Sequence, residues 1–205
     1  LLGGLVLTIE LTVVSILLGF LAGFPAGAIE VYGGRYSSGT IRIVGTILRG
    51  TPLVVILIFA FFVFPIGNAF LAAILGLGLR SAAYQSQIFR GTLQSVSEGQ
   101  MEAARSIGLT RLRAIYYVIV PQALRRSIPG FQNEFTIVLK DTSLAFAIGL
   151  AELLTRSYDL FVQQTTAVLE VILFVSALYF VLTFGTNRAL DFIQEVYTIP
   201  GGENS

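Results

Sequence analysis

Long apolar runs alternate with short polar interruptions along the whole chain. Residues 5–29 are apolar apart from Glu10 and small hydroxyl side chains. At 1.5 Å per residue, a helix of that length crosses the hydrocarbon layer of a bilayer, about 30 Å. The second run is less regular. Its uninterrupted part, 53–64, is too short to span alone, and extending it back to residue 41 takes in Arg42, Arg49 and Pro52. That extension places Arg49-Gly50-Thr51-Pro52 at a membrane face, where an arginine can reach the headgroups. A third run, 69–89, carries Arg80 near its middle. The fourth, 129–150, includes Glu134, Lys140 and Asp141, and the fifth covers 168–190. Between them lie a turn-rich loop at 30–39, a short turn around Pro65 and Asn68, a long polar stretch over 90–127, and a mildly polar loop at 151–167. The pattern predicts one all-α membrane domain over 1–205, with five transmembrane helices and one long polar loop.

Composition supports that reading and removes several chemistries. Only 12% of the 205 residues are charged and 55% are hydrophobic, with a mean hydropathy of +0.81. A soluble domain carries about 25% charged residues, so this chain could hardly cover a water-facing surface. Net charge is +1, with no Lys/Arg-rich run, so nothing points to nucleic acid. Cysteine and histidine are both absent. Disulfides, Cys or His metal sites, thiol nucleophiles and imidazole bases go with them, and no metal or catalytic group is expected on this chain. No G-x-x-x-x-G-K-[ST] stretch occurs, so ATP phosphates are not cradled by a P-loop here. The apolar opening has no basic segment before it, and a cleavable signal peptide is not expected.

Charge asymmetry predicts an orientation. With five spans, the loops at 30–40 and 90–128 share one side with the C-terminal tail. They hold eight arginines: Arg35, Arg90, Arg105, Arg111, Arg113, Arg125, Arg126 and Arg188. The opposite side holds only Arg156. Basic loops stay in the cytoplasm, which puts the long loop and C-terminus inside and the N-terminus outside.

The long loop is punctuated like a pair of helices. Ser97 with Gln100 three residues on fits a capping box, and Gly108 fits the stop that follows. Thr110 can cap a second short helix over 111–119, ending before Pro121. Glu102, Ala103 and Ala104 on the first helix combine a directional carboxylate with side chains small enough for another backbone to approach. A solvated linker helix would look much the same.

The order Glu102-Ala103-Ala104, Gly108, then Val118-Ile119-Val120-Pro121 closely resembles the EAA motif of ATP-binding cassette importer permeases. Valines stand where that motif usually has isoleucine and leucine. Further stretches resemble the polar amino-acid uptake branch, the permeases for histidine, glutamine and arginine. They are Arg49-Gly50-Thr51-Pro52, Ser81-Ala82-Ala83-Tyr84 with Ile88-Phe89-Arg90-Gly91, Pro121-Gln122-Ala123-Leu124-Arg125, and Leu139-Lys140-Asp141-Thr142-Ser143-Leu144. The resemblance implies a non-catalytic, type I importer permease of five helices that pairs with a second permease subunit, identical or not. Two ATPase subunits would bind ATP and Mg on the cytoplasmic side, and an extracytoplasmic solute-binding protein would deliver an amino acid. Glu102, Ala103, Ala104, Arg105 and Gly108, with Pro121, would form the ATPase-coupling segment.

Ionisable groups inside a span are expensive and mark function by default. Counting at 1.5 Å per residue puts Arg80 about 16 Å and Asp141 about 14 Å from the outer helix ends, at matching depth on antiparallel helices. Arg80, Tyr84 and Gln87 recur at helical spacing beside Ser81, and Lys140, Asp141 and Ser143 face them from the fourth span. One reading is a mid-membrane pocket in which Arg80 takes an α-carboxylate and Asp141 an α-ammonium. The other is mutual neutralisation, Lys140 with Asp141 above all, that only specifies packing. Many family members have glutamate at the position of Gln87 and a neutral residue at that of Arg80. A secondary carrier driven by an ion gradient through Asp141, Glu134 or Glu10 is the rival class, and a permease for another small solute a closer one. An intramembrane enzyme is disfavoured by the missing His and Cys.

Overall fold

The structure is a computed structural model, and it describes residues 1–64, 67–163 and 165–197. Among these residues every regular element is helical. Helix α1 covers Leu2–Tyr32, α2 Arg35–Gly50, α3 Leu53–Phe62 and α4 Ala69–Ser95. The polar loop contributes α5, Glu98–Ser106, and α6, Arg111–Ala114. A π turn over Ile115–Ile119 joins α6 directly to α7, Val120–Asp141, which tightens into a 3-10 segment over Thr142–Ile148. Helix α8, Leu153–Gln163, and α9, Val168–Tyr197, complete the chain.

Helices α1 and α4 are the spine. The side chains that α1 buries form a stripe of small residues, Gly4, Thr8, Thr12, Ser15, Gly19, Gly23 and Gly27, which ends at Glu30. Spacings of three and four keep these residues on one face of the helix, which meets the start of α8 at Gly4 and Thr8 and α4 from Gly19 to Gly27. In lipid there is little hydrophobic drive between helices, so close backbone approach and interhelical hydrogen bonds must hold them together. Gly19, Gly23 and Gly27 allow that approach. A Cβ at Gly23 would lie 2.8 Å from the Ala82 carbonyl, and one at Gly27 2.7 Å from that of Ser86. Phe89, buried between these helices and α7, meets Phe20, Phe24 and Phe131 at centroid distances of 4.8 to 5.5 Å.

Two apolar clusters sit at opposite ends. One joins Leu11 of α1, Leu53 and Leu57 of α3, Ala72, Ala73 and Leu77 of α4, and Ala145 and Ile148 of the 3-10 segment. The other, at the polar-loop end, joins Leu93, Val96, Ile119 and Ala123. The outer faces are apolar too, as for a protein whose solvent is lipid. Leu21, Phe62, Leu169 and Phe180 are all more than 65% exposed.

Several helix limits differ from the sequence expectation. The run at 41–64 is not one straight helix: α2 and α3 meet at a bend of 103°. Thr51 is extended and Pro52 lacks an N–H, so the helix cannot pass through them. Arg49 does not reach for a membrane face either. Its Nη1 donates to the Ala83 carbonyl of α4 at 2.7 Å, an oxygen that also accepts from Ser86 Oγ at 2.9 Å. By length and apolarity, α1 and Val168–Glu195 of α9 qualify as membrane-crossing, and the bent α2–α3 pair is a third candidate. Helix α4 is long enough but turns polar side chains, Ser81, Gln85 and Ser86, into the bundle. The loop expected at 30–39 shrinks to Gly33 and Gly34, and the one expected at 151–167 contains α8.

Glu152 explains the start of α8. It lies in the stretch expected as a mildly polar loop, yet it is fully buried. Its carboxylate accepts from the backbone N–H groups of Leu154 and Thr155, each at 2.8 Å, from Thr155 Oγ1 at 2.8 Å, and from the Tyr179 hydroxyl at 3.3 Å. An acidic side chain at that point satisfies donors a helix start leaves open. It also ties α8 to α9.

Candidate functional site

The polar loop is built to project a rigid helix. Ser97 stands at the start of α5, but its hydroxyl makes no cap bond; its carbonyl accepts from Gln100 N–H at 3.0 Å instead. The other end closes with a Schellman arrangement. Gly108 N–H bonds the Arg105 carbonyl at 3.0 Å and Leu109 N–H that of Ala104 at 3.1 Å. This geometry needs a left-handed residue, and Gly108 has φ +90°. Thr110 then caps α6, its Oγ1 accepting from Arg113 N–H at 3.4 Å.

Pro121 does not end the second helix, contrary to the stop expected before it. In the π turn, Val120 N–H reaches back to the Ile115 carbonyl. The extra residue re-spaces the carbonyls ahead of the pyrrolidine ring, and Pro121 falls in the first turn of α7, where a missing N–H is tolerated. The polar loop and α7 are therefore one continuous helical piece. Pro121 lies on α7, while the other residues expected to form the coupling segment lie on α5 and its cap.

Only Ala104 of α5 is buried. Glu102, Ala103, Arg105 and Gly108 are exposed, and Glu102 has no ion pair among the described residues. Ile107 is 81% and Leu112 79% exposed, and Tyr116 and Tyr117 are exposed as well. Exposed apolar side chains thus stand beside a carboxylate that has no ion pair among the described residues.

Inside the bundle the polar residues fall into three groups. In the first, Arg80 of α4 pairs with Asp141 at the end of α7, through Nη1 and Oδ2. The guanidinium lies over the Tyr84 ring, 5.1 Å from its centroid. Ser81 Oγ donates to Glu134 at 2.8 Å and accepts from Gln85 Nε2 at 3.0 Å. Asp141 is thus neutralised by Arg80 and not by its neighbour Lys140. Successive helical residues point about 100° apart, so Asp141 can face α4 only if Lys140 faces elsewhere.

Lys140 and Ser143 make the second group. They line a cavity of about 430 Å³ together with Phe161 of α8 and Ile172, Ser176 and Tyr179 of α9. Gln87 belongs to the third, at the polar-loop end. Its Nε2 donates to Glu30 at 2.8 Å. The Glu30 side chain is 1% exposed and also faces Arg90 at 3.6 Å and Arg42 at 3.9 Å. Sequence reading assigned Glu30 to a loop. The available signal was its register, one turn beyond Gly27 in the buried stripe.

Such a bundle, with ion pairs between its helices and an exposed capped helix on its polar loop, is that of a multi-helix membrane protein. Residues 15–194 match the family described as binding-protein-dependent transport system inner membrane component. The chain belongs to that family. It is 33% identical to the L-cystine transport system permease protein TcyB of Bacillus subtilis, over 95% of this chain and 83% of that protein. It is also 33% identical to the glutamine transport system permease protein GlnP of Escherichia coli, over 88% of this chain and 84% of that one. Among solved structures, an amino acid ABC transporter crystallised with histidines aligns with a TM-score of 0.83 and 32% identity, covering 95% of this chain and 92% of that one. The MetNI methionine ABC transporter, inward facing, aligns with a TM-score of 0.82 over 97% and 96% at 23% identity. These neighbours carry the type I ABC importer permease fold, and this chain shares it.

Proposed function

We propose that this chain is the membrane-spanning permease subunit of an ATP-binding cassette importer for polar amino acids. The observation that carries the proposal is the exposed α5 helix with its Gly108 stop, borne on a chain without a P-loop. On this reading the energy source is another subunit, and Glu102 to Gly108 is the surface offered to it. Cystine and glutamine in the names of two relatives support the amino-acid assignment.

In the proposed assembly the chain pairs with a second permease subunit, and two ATPases binding ATP and Mg sit against the two coupling helices. A solute-binding protein delivers substrate at the opposite face. The excess of arginine in the loops supports a cytoplasmic α5 and C-terminus with the N-terminus outside. ATP binding draws the coupling helices together and opens the path outward; hydrolysis resets it, each ligand biasing two packings of similar free energy. Arg80, Ser81, Tyr84 and Asp141 line the amino-acid path, with Arg80 receiving the α-carboxylate and Asp141 the α-ammonium. Lys140 and Ser143 border it from the α9 side, and Gln87 lies nearer its inner end.

Reconstitution tests the proposal. The chain, its ATPase and its binding protein in liposomes take up labelled glutamine or cystine only when ATP is supplied. Uptake by the chain alone, driven by a proton or sodium gradient, refutes it in favour of a secondary carrier. Normal uptake by both Arg80→Gln and Asp141→Asn in fully assembled complexes places the path elsewhere.

A further inference from the structure

The mid-membrane charge pair already mimics a bound amino acid. Arg80 and Asp141 offer a cation and an anion at contact distance, from helices α4 and α7. Their side chains are 21% and 24% exposed on the single chain, so the pair is not sealed within it. It is also incompletely satisfied. Arg80 makes one carboxylate contact, through Nη1, and its buried Nε has no hydrogen-bond partner among the described residues. A guanidinium has five donors in a fork suited to two carboxylate oxygens. An ion pair that serves packing alone gains from using that fork, since buried charge is stabilising only when its donors are met. Beside it, Ser81 and Glu134 show what a closed arrangement looks like, buried and bonded.

We infer that the Arg80–Asp141 pair is an internal plug, displaced when a zwitterion exchanges partners with it. The substrate α-carboxylate takes Arg80 and the α-ammonium takes Asp141, so one ion pair becomes two with no change in local net charge. A ligand with only one of these groups leaves the other partner alone in a low-dielectric site, which is unfavourable. The exchange also removes one polar tie between α4 and α7, leaving the Ser81–Glu134 bond in place. Without substrate the tie holds the path shut and restrains the ATPase cycle. With substrate, the restraint is lifted by the ligand itself. The inference rests on the amino-acid importer reading above and adds to it a role for the empty state.

The test uses the complete complex in liposomes and reads two quantities, ATP hydrolysis without substrate and ATP-dependent uptake. Coupling between sites is typically worth 5- to 150-fold. Arg80→Gln and Asp141→Asn should each raise substrate-free hydrolysis by roughly fivefold or more while losing uptake. Arg80→Lys and the charge-swapped Arg80→Asp/Asp141→Arg variant both keep a pair. Their substrate-free hydrolysis should fall below that of Arg80→Gln and Asp141→Asn. The inference is overturned if the parent complex transports amino acids while both neutral variants hydrolyse ATP at the parent rate. It is equally overturned if Arg80→Lys is as active without substrate as Arg80→Gln. A parent complex with no ATP-dependent amino-acid uptake refutes the importer reading instead, so the two failures are distinct.

Discussion

Gly27→Ala and Gly91→Ala are the same substitution near the same end of the bundle, and the structure gives them opposite signs. A Cβ on Gly27 lies 2.7 Å from the Ser86 carbonyl oxygen, 2.9 Å from Phe89 Cβ and 3.2 Å from Arg90 N. Backbone or backbone-anchored atoms of α4 cannot swing aside, so α1 and α4 must part by several tenths of an ångström. The parting loosens the packing of Phe20 and Phe24 on Phe89 and lengthens the bond from Gln87 to Glu30. Overpacking of this kind costs about 1–3 kcal/mol, against a helix-propensity gain of about 1 kcal/mol for replacing glycine by alanine. Gly91, within α4, has nothing within 4 Å of its added Cβ, and only the gain remains. Two variants separated by about 2 kcal/mol should melt roughly 4–8 °C apart in a chain of this size. Thermal unfolding of the detergent-solubilised chain, followed by size-exclusion fluorescence, measures the gap. If Gly27→Ala melts at or above Gly91→Ala, close approach along the α1 stripe is not what holds the spine together.

Three further outcomes follow from the same structure. Gly108→Val forces a β-branched residue to φ +90°, a penalty of at least about 1–2 kcal/mol, and should open the cap of α5. With Glu102→Lys, it should abolish co-purification of the ATPase while membrane insertion, read by protease accessibility, stays normal. Glu152→Ala strands the N–H groups of Leu154 and Thr155 and removes one of the partners of the Tyr179 hydroxyl. A lost cap costs about 0.5–2 kcal/mol, visible as faster proteolysis within α8; unchanged cleavage refutes the capping role. Glu30→Ala removes the acceptor of Gln87 and the counter-ion of Arg90 and Arg42. Breaking a buried pair costs about 3–5 kcal/mol, but the arginines are 31% and 57% exposed, so about 2 kcal/mol is expected, with Glu30→Gln intermediate in thermal stability.

The apolar segments, the stop at Gly108, the cap at Thr110 and the antiparallel register of Arg80 and Asp141 are all readable from local rules. What escapes those rules has a physical cause in each case. Hydropathy runs smoothly across Thr51-Pro52, so the right-angle bend is invisible to it, although Pro52 itself marks the break. At Pro121 the rule that proline ends a helix is sound, but one extra residue in the π turn satisfies it without stopping the chain. Helix α8 begins on a carboxylate two and three residues before the N–H groups it holds, a capping signal hidden by treating 151–167 as loop. Lys140 and Asp141 look like partners because they are adjacent, whereas adjacency on a helix sends them to different neighbours. Glu30 looks exposed because a polar residue beside two glycines reads as a turn. Its partners Gln87 and Arg90 lie far along the chain and only the folded spine brings them near.

The unbroken run from α6 through the π turn into α7 makes a lever of the chain. From Arg111 to Asp141 it extends about 45 Å at helical rise, with no slack loop to absorb motion. Its natural fulcrum is Gly130, where an added Cβ would stand 2.6 Å from the Ile88 side chain of α4. The adjacent Pro129 removes one rung of the hydrogen-bond ladder beside the fulcrum. The arm from Arg111 to Gly130 is about 28 Å and the arm from Gly130 to Asp141 about 16 Å at helical rise, so a tilt of the run as one body would carry to the Arg80–Asp141 pair at a little over half its size.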